Sequence, residues 1–122
     1  MRLGSLMVLV GTMTLAAGSY AMTRLNSPPV AVDDYWMAPA QSSTFTGNVP
    51  VLGNDTDPDL PNDTLTLVSV NGPYATISGN GKHMRLVSAP PGTYFVDYTI
   101  EDAEGLESTA TAEVWVCYLP CE

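Results

Sequence analysis

Thr93-Tyr94-Phe95-Val96-Asp97-Tyr98-Thr99-Ile100-Glu101 is the longest run in the chain that alternates strictly between two kinds of face. Side chains alternate across a strand, so Tyr94, Val96, Tyr98 and Ile100 share one face, and Phe95, Asp97 and Thr99 share the other. The first face is the one to bury. Downstream, Asp102-Ala103-Glu104-Gly105 turns the chain. Residues 106–116 then return with Ala110, Ala112, Val114 and Val116 inward. Trp115 points outward with Thr109, Thr111 and Glu113, or packs under the tail.

Upstream, Ala89-Pro90-Pro91-Gly92 stops a strand over residues 83–88, and Gly79-Asn80-Gly81-Lys82 is the loop of a hairpin with residues 74–78. Asn71-Gly72-Pro73 is a turn, and residues 64–70 alternate polar with apolar as a half-buried strand does. Residues 44–52 are strand-like, with Pro50 marking an edge or a bulge. Nearer the start, Val30-Ala31-Val32 opens a strand, Asp33-Asp34 turns it, and residues 35–38 form a short extended piece broken by Pro39. No segment beyond the first stretch has helical periodicity. About seven short strands with turn signals between them, in roughly 90 to 100 residues, describe an all-β, antiparallel, seven-stranded sandwich.

That first stretch has the form of an export leader. In the 122-residue chain, Arg2 precedes an apolar run over residues 3–17, and Ser19-Tyr20-Ala21 offers small residues for cleavage. Removing residues 1–21 leaves 101, enough for one domain with one core. The alternative is a retained anchor over residues 3–21, long enough to span a bilayer but diluted by Gly4, Ser5, Gly11, Thr12, Thr14 and Gly18. The expected organisation is a leader or anchor (1–21), an extended arm (22–28), a sandwich (29–116) and a cysteine-bearing tail (117–122).

The formal net charge of −9 leaves no basic stripe for phosphates, which argues against nucleic acid and against anionic membrane surfaces. The product is expected outside the cytoplasm, in the periplasm, on the cell surface or secreted. Without the leader no membrane span is expected. Cys117 and Cys121 both lie in the last six residues, and an exported chain leaves two pairings open, a small local ring or links between chains. Zinc is disfavoured, since the only histidine, His83, is far from both in sequence.

The strands over residues 44–52 and 64–70 are joined through Val51-Leu52-Gly53-Asn54-Asp55-Thr56-Asp57-Pro58-Asp59-Leu60-Pro61-Asn62-Asp63. This loop carries four aspartates, whose charges repel and call for compensation. Two readings stand beside each other. The aspartates face water in a polar turn, or they gather a hard cation such as calcium. The helix-loop-helix calcium motif is absent: Asp55, Asp57 and Asp59 match its first, third and fifth positions, but Leu60 replaces the required Gly and Thr66 the final Glu.

Three ordered motifs, Pro29-Val30-Ala31-Val32-Asp33-Asp34, Val51 through Asp59, and Leu65-Thr66-Leu67-Val68-Ser69-Val70, resemble the cadherin-like, immunoglobulin-like repeat of bacterial surface proteins and adhesins. Gly92-Thr93-Tyr94 through Asp102, and then Gly105 through Val116, resemble that repeat's last hairpin. The resemblance implies a module for adhesion or extracellular structure, with calcium held by acidic loops. Its loop carries over onto Asn54, Asp55, Asp57 and Asp59, and its closing turn onto Asp102. The chain departs from the repeat at Leu60-Pro61-Asn62-Asp63, where a Gly-Asp pair is usual.

Catalysis is not expected. A serine or cysteine nucleophile needs a base in reach, and His83 sits in no supporting motif. Tyr94, just after Pro91-Gly92-Thr93, suits a tyrosine corner. Trp36 and Trp115 are expected to pack in the core or its flank, the alternative being an exposed aromatic contact for a partner or sugar. Three function classes follow: an adhesion or surface-structure module stabilised by calcium, a self-assembling subunit using the arm or the cysteine tail, and a small secreted binding or inhibitory protein. The expected partners are an extracellular protein, a carbohydrate or copies of the chain itself.

Overall fold

In the computed structural model, which describes residues 26–59 and 64–121, the alternating runs become seven strands. They are β1 (Asp34–Ala40), β2 (Phe45–Val49), β3 (Thr66–Asn71), β4 (Ala75–Ser78), β5 (His83–Ala89), β6 (Gly92–Glu101) and β7 (Glu107–Tyr118). A single 3-10 turn, Val51–Asn54, follows β2. One sheet has the order β1-β7-β6-β3 and the other β2-β5-β4, so the architecture is an all-β, immunoglobulin-like sandwich of four strands and three. Residues 1–21, expected as a leader, lie outside the described residues, as do 22–25 and 60–63.

The alternation of β6 and β7 sets the core. Val96, Tyr98 and Ile100 are buried, as are Ala110, Ala112, Val114 and Val116. They join Leu67, Val49, Val51, Met84, Leu86 and Ala89 in one hydrophobic cluster. Burying each of the larger apolar side chains contributes about 1.5–3 kcal/mol. Tyr94 is only partly buried. Its hydroxyl donates to the Pro90 carbonyl four residues upstream, and its ring meets Tyr74 edge-on with centroids 5.4 Å apart, forming the expected corner.

The N-terminal part departs from the sequence reading. Val30 makes only an isolated antiparallel bridge to Thr56, and Asp34 begins β1 instead of completing a turn. Pro39 does not break this strand, because β1 lies at the sheet edge, where a missing N–H is tolerated. β1 pairs in parallel with β7, with Trp36 opposite Val114 and Ala38 opposite Val116, so the sandwich contains one parallel pair among antiparallel ones. Parallel neighbours need a long connection, and here all the other strands supply it. Trp36, expected in the core or its flank, is exposed, whereas Trp115 is half-buried.

At the opposite end of β7, Cys117 and Cys121 are joined in a disulfide with their Cα atoms 5.4 Å apart. The Leu119 N–H donates to the Ala40 carbonyl at 3.1 Å, which extends the β1–β7 ladder into the tail.

Gly81 ties one sheet to the other. Its carbonyl accepts the Leu67 N–H of β3 at 2.8 Å, and its φ is +84°. A Cβ there would lie 2.4 Å from Thr66 Cγ2 and 2.9 Å from the Leu67 carbonyl oxygen. Gly81→Ala is therefore expected to destabilise the domain by roughly 2 kcal/mol or more. The check is the urea midpoint, which should fall with an unchanged m-value.

Candidate functional site: the acidic pole

The acidic loop, the β6–β7 turn and the lead-in to β1 meet at one pole. The lead-in, residues 26–33, runs between the other two, and aspartates bond to it along most of its length. The Ser27 N–H donates to Asp59 Oδ2 at 2.9 Å and the Val32 N–H to Asp55 Oδ1 at 2.8 Å. Asn26 Nδ2 donates to Asp102 Oδ2 at 2.8 Å. Between these, Val30 and Thr56 exchange both backbone bonds, at 2.7 and 3.1 Å, and the Ala31 N–H donates to Ser108 Oγ at 3.0 Å. Asn54 Nδ2 donates to the Asp33 carbonyl, and Asp33 Oδ1 accepts the Thr111 N–H of β7. A segment that forms no strand is thus held in register by carboxylates.

Asp102 also organises its own turn, accepting the N–H groups of Glu104 at 3.0 Å and Leu106 at 2.9 Å through Oδ1. Burial acts to raise its pKa, but these donors and Asn26 outweigh it and hold the carboxyl below its ordinary value. Asp34 and Asp55 show the opposite result. Both are raised, chiefly by desolvation, and each lies close enough to another carboxylate to add repulsion, Asp33 beside Asp34 and Asp34 beside Asp55.

Between Asp34 and Asp55 stands the Tyr98 hydroxyl, delivered from the core face of β6. It lies 2.6 Å from Asp34 Oδ2, 2.9 Å from the Val32 carbonyl, 3.3 Å from both Asp55 carboxylate oxygens and 3.4 Å from the Val51 carbonyl. One hydroxyl proton cannot serve five acceptors, and the shortest contact assigns it to Asp34. Burial first, and then the two carboxylates, drive the phenol far above its usual value. The Tyr98 phenol is therefore a fixed donor.

Of the residues expected to bind metal, Asp55, Asp57, Asp59 and Asp102 share this pole, while Asn54 is turned to the Asp33 carbonyl. Asp57 is 4 % exposed. Its Oδ1 accepts the Asp59 N–H at 2.7 Å, and its Oδ2 is buried with no hydrogen-bond partner among the described residues. Among the described residues, no group of three or more histidine, cysteine or acidic side chains is disposed around a metal position. Asp33 and Asp34, which the sequence lets join Asp55, Asp57 and Asp102 if the loops meet at one pole, do lie at this pole, whereas the roles of Asn26 and Tyr98 were not read from the sequence. Tyr98 is recognisable there only as a core tyrosine, although a buried phenol needs a partner.

A family match to the bacterial Ig domain spans residues 26–115. The chain belongs to the bacterial Ig domain family. That span takes in both sheets and the lead-in from Asn26, and the family is one of non-enzymatic modules, typically surface or extracellular. No curated protein matches the chain. Among solved structures, it is similar to a nucleoside hydrolase-related hypothetical protein from Saccharophagus degradans associated with carbohydrate metabolism, with 21 % identity and a TM-score of 0.49. The alignment covers 75 % of this chain and 26 % of that one, so the chain spans about a quarter of that protein. Among the described residues of this bacterial Ig domain, no helix is long and apolar enough to cross a membrane.

Two substitutions test the pole. Tyr98→Phe leaves buried carboxylate oxygens without their donor and is expected to cost about 1–3 kcal/mol at pH 7, read from chemical denaturation. Asp55→Asn keeps an acceptor for Val32 but removes a charge that folding disfavours. A raised carboxyl stabilises the fold below its unfolded pKa and loses that contribution as pH rises through its folded value. Asp55→Asn is therefore expected to raise Tm at pH 7, with the gain disappearing below about pH 4, where the parent carboxyl is also neutral. Asp102 has the reverse sign, and its contribution is lost on acidification.

Proposed function

We propose that this bacterial Ig domain is a non-catalytic, exported module of the cell surface, serving adhesion or extracellular structure and stiffened by calcium at its acidic pole. The observation that carries the calcium part is Asp57 Oδ2, an anionic oxygen held out of water with no donor. Leaving such an atom unpaired is costly, and a cation removes the cost. Asp57 is the residue to hold it, with Asp59 adjacent through its N–H and Asp55 and Asp102 on the same pole. When bound, the ion supplies neutralising charge and stiffness. The chain's own groups fix the lead-in against the loop and the turn.

The module reading is supported by the family, by an acidic balance suited to solubility outside the cell, and by the expected leader. The Cys117–Cys121 disulfide engages both thiols of the tail, which speaks against an assembly in which the tail links one chain to another.

Scanning calorimetry tests the calcium part. A ligand that binds only the folded state adds about 2.7 kcal/mol at a hundredfold excess over Kd. Tm is expected to rise by several degrees in millimolar calcium, to fall back with chelator, and to lose its calcium dependence in Asp57→Asn. A melt indifferent to calcium would overturn the cation while leaving the module intact.

A further inference from the structure

The outer face of the four-stranded sheet, away from the acidic pole's hydrogen bonds, carries side chains that the core does not use. Register places Tyr35 opposite Glu113 and Glu113 opposite Phe95, one row across β1, β7 and β6. The next row sets Met37, Trp115 and Thr93 side by side. All face away from the core, since Ala38, Ala112, Val114 and Val96 take the alternate positions inward. Tyr35 is 63 % exposed, Phe95 61 % and Met37 47 %. Neighbouring strands lie about 4.8 Å apart, so Tyr35 and Phe95 stand on either side of Glu113 on this face.

Among the described residues, none makes a hydrogen bond or ion pair with the Glu113 side chain. The cations the fold does place, Lys82 and Arg85, belong to the hairpin loop and β5 of the other sheet, and Arg85 is directed at Asn48. Asp97, two positions from Phe95 along β6, adds negative charge to the same face. A carboxylate between two exposed rings attracts a group that is positive, flat and able to stack, a description that fits a guanidinium better than an ammonium.

We infer that this face, through Tyr35, Glu113 and Phe95, docks an arginine-bearing extended segment of a partner polypeptide, with an apolar residue of that segment seated on Met37 and Trp115. The two rows are two residues apart along β7, which matches the spacing of residues i and i+2 of an extended peptide. Charge complementarity selects this occupant over a second copy of the chain, whose net charge is −9. The inference extends the module reading by naming a partner class. Its test is run in chelator, so calcium has no part in it and its failure leaves that reading standing.

The test is a titration of the purified protein, at low ionic strength with EDTA, using the peptide acetyl-Gly-Arg-Ser-Leu-Gly-amide, followed by amide and indole N–H shifts. The expected shifts centre on Glu113, Phe95 and the Trp115 indole. Replacing the peptide arginine by neutral citrulline is expected to weaken binding about tenfold or more, Glu113→Gln about tenfold and Phe95→Ala about threefold. Glu107→Gln, at the far end of β7, should change nothing, and unchanged circular dichroism and melting of the variants secure the comparison. Four outcomes overturn the inference: no binding, shifts centred on residues 54–59, a Glu113→Gln variant that binds like the parent, or the same resonances moved equally by neutral cellotetraose. A dimer of the free protein that Phe95→Ala dissociates also overturns it, assigning the face to a second copy.

Discussion

The structure depends on a contest between like charges and the N–H groups set against them. At one pole the chain collects Asp33, Asp34, Asp55, Asp57, Asp59 and Asp102, a concentration that would drive the loops apart. It is offset by directing backbone and side-chain donors at individual oxygens. Ser27, Val32 and Asn26 each supply one, Asp102 takes two more from its own turn, and Tyr98 reaches up from the core. Charge-assisted bonds of this kind are about twice as strong as neutral ones. They account for an irregular lead-in that keeps to one path across the molecule.

The compensation is uneven, and the unevenness is informative. Where several N–H groups converge, as at Asp102, ionisation is favoured. Where two carboxylates, Asp34 and Asp55, face a phenol with a single proton, burial prevails and ionisation is disfavoured. Asp57 has one oxygen satisfied and one not. A set of carboxylates gathered at one pole therefore divides into three electrostatic conditions according to how many donors the fold delivers to each.

The second half of the chain was legible because its period is unbroken. From Thr64 onward the alternation and the Gly- and Pro-marked turns give the five later strands nearly to the residue, and the inward set of β6 and β7 is the one the pattern names. The first half was less so, for a physical reason. Pro39 reads as a breaker until β1 is known to be an edge strand, and Asp33-Asp34 reads as a turn until Thr111 is known to lie beside it. Those facts depend on pairing between the first strand and the last, which no local pattern encodes. The same blindness hid the site: the acidic loop was conspicuous, but the donors that meet it, Asn26, Ser27 and Tyr98, come from distant places in the sequence. The row Tyr35, Glu113 and Phe95 likewise exists only once β1 is laid in register against β7.

The parallel β1–β7 pair has a mechanical consequence. Because the two strands run the same way, the chain enters β1 at one pole and leaves β7 at the other, and tension applied at the two ends loads their ladder lengthwise. The interstrand bonds then resist in concert, sliding against the load together, where an antiparallel terminal hairpin would peel open one bond at a time. A domain so wired carries pulling force along its long axis, and the tail bond from Leu119 to Ala40 adds one more rung to the part that bears it.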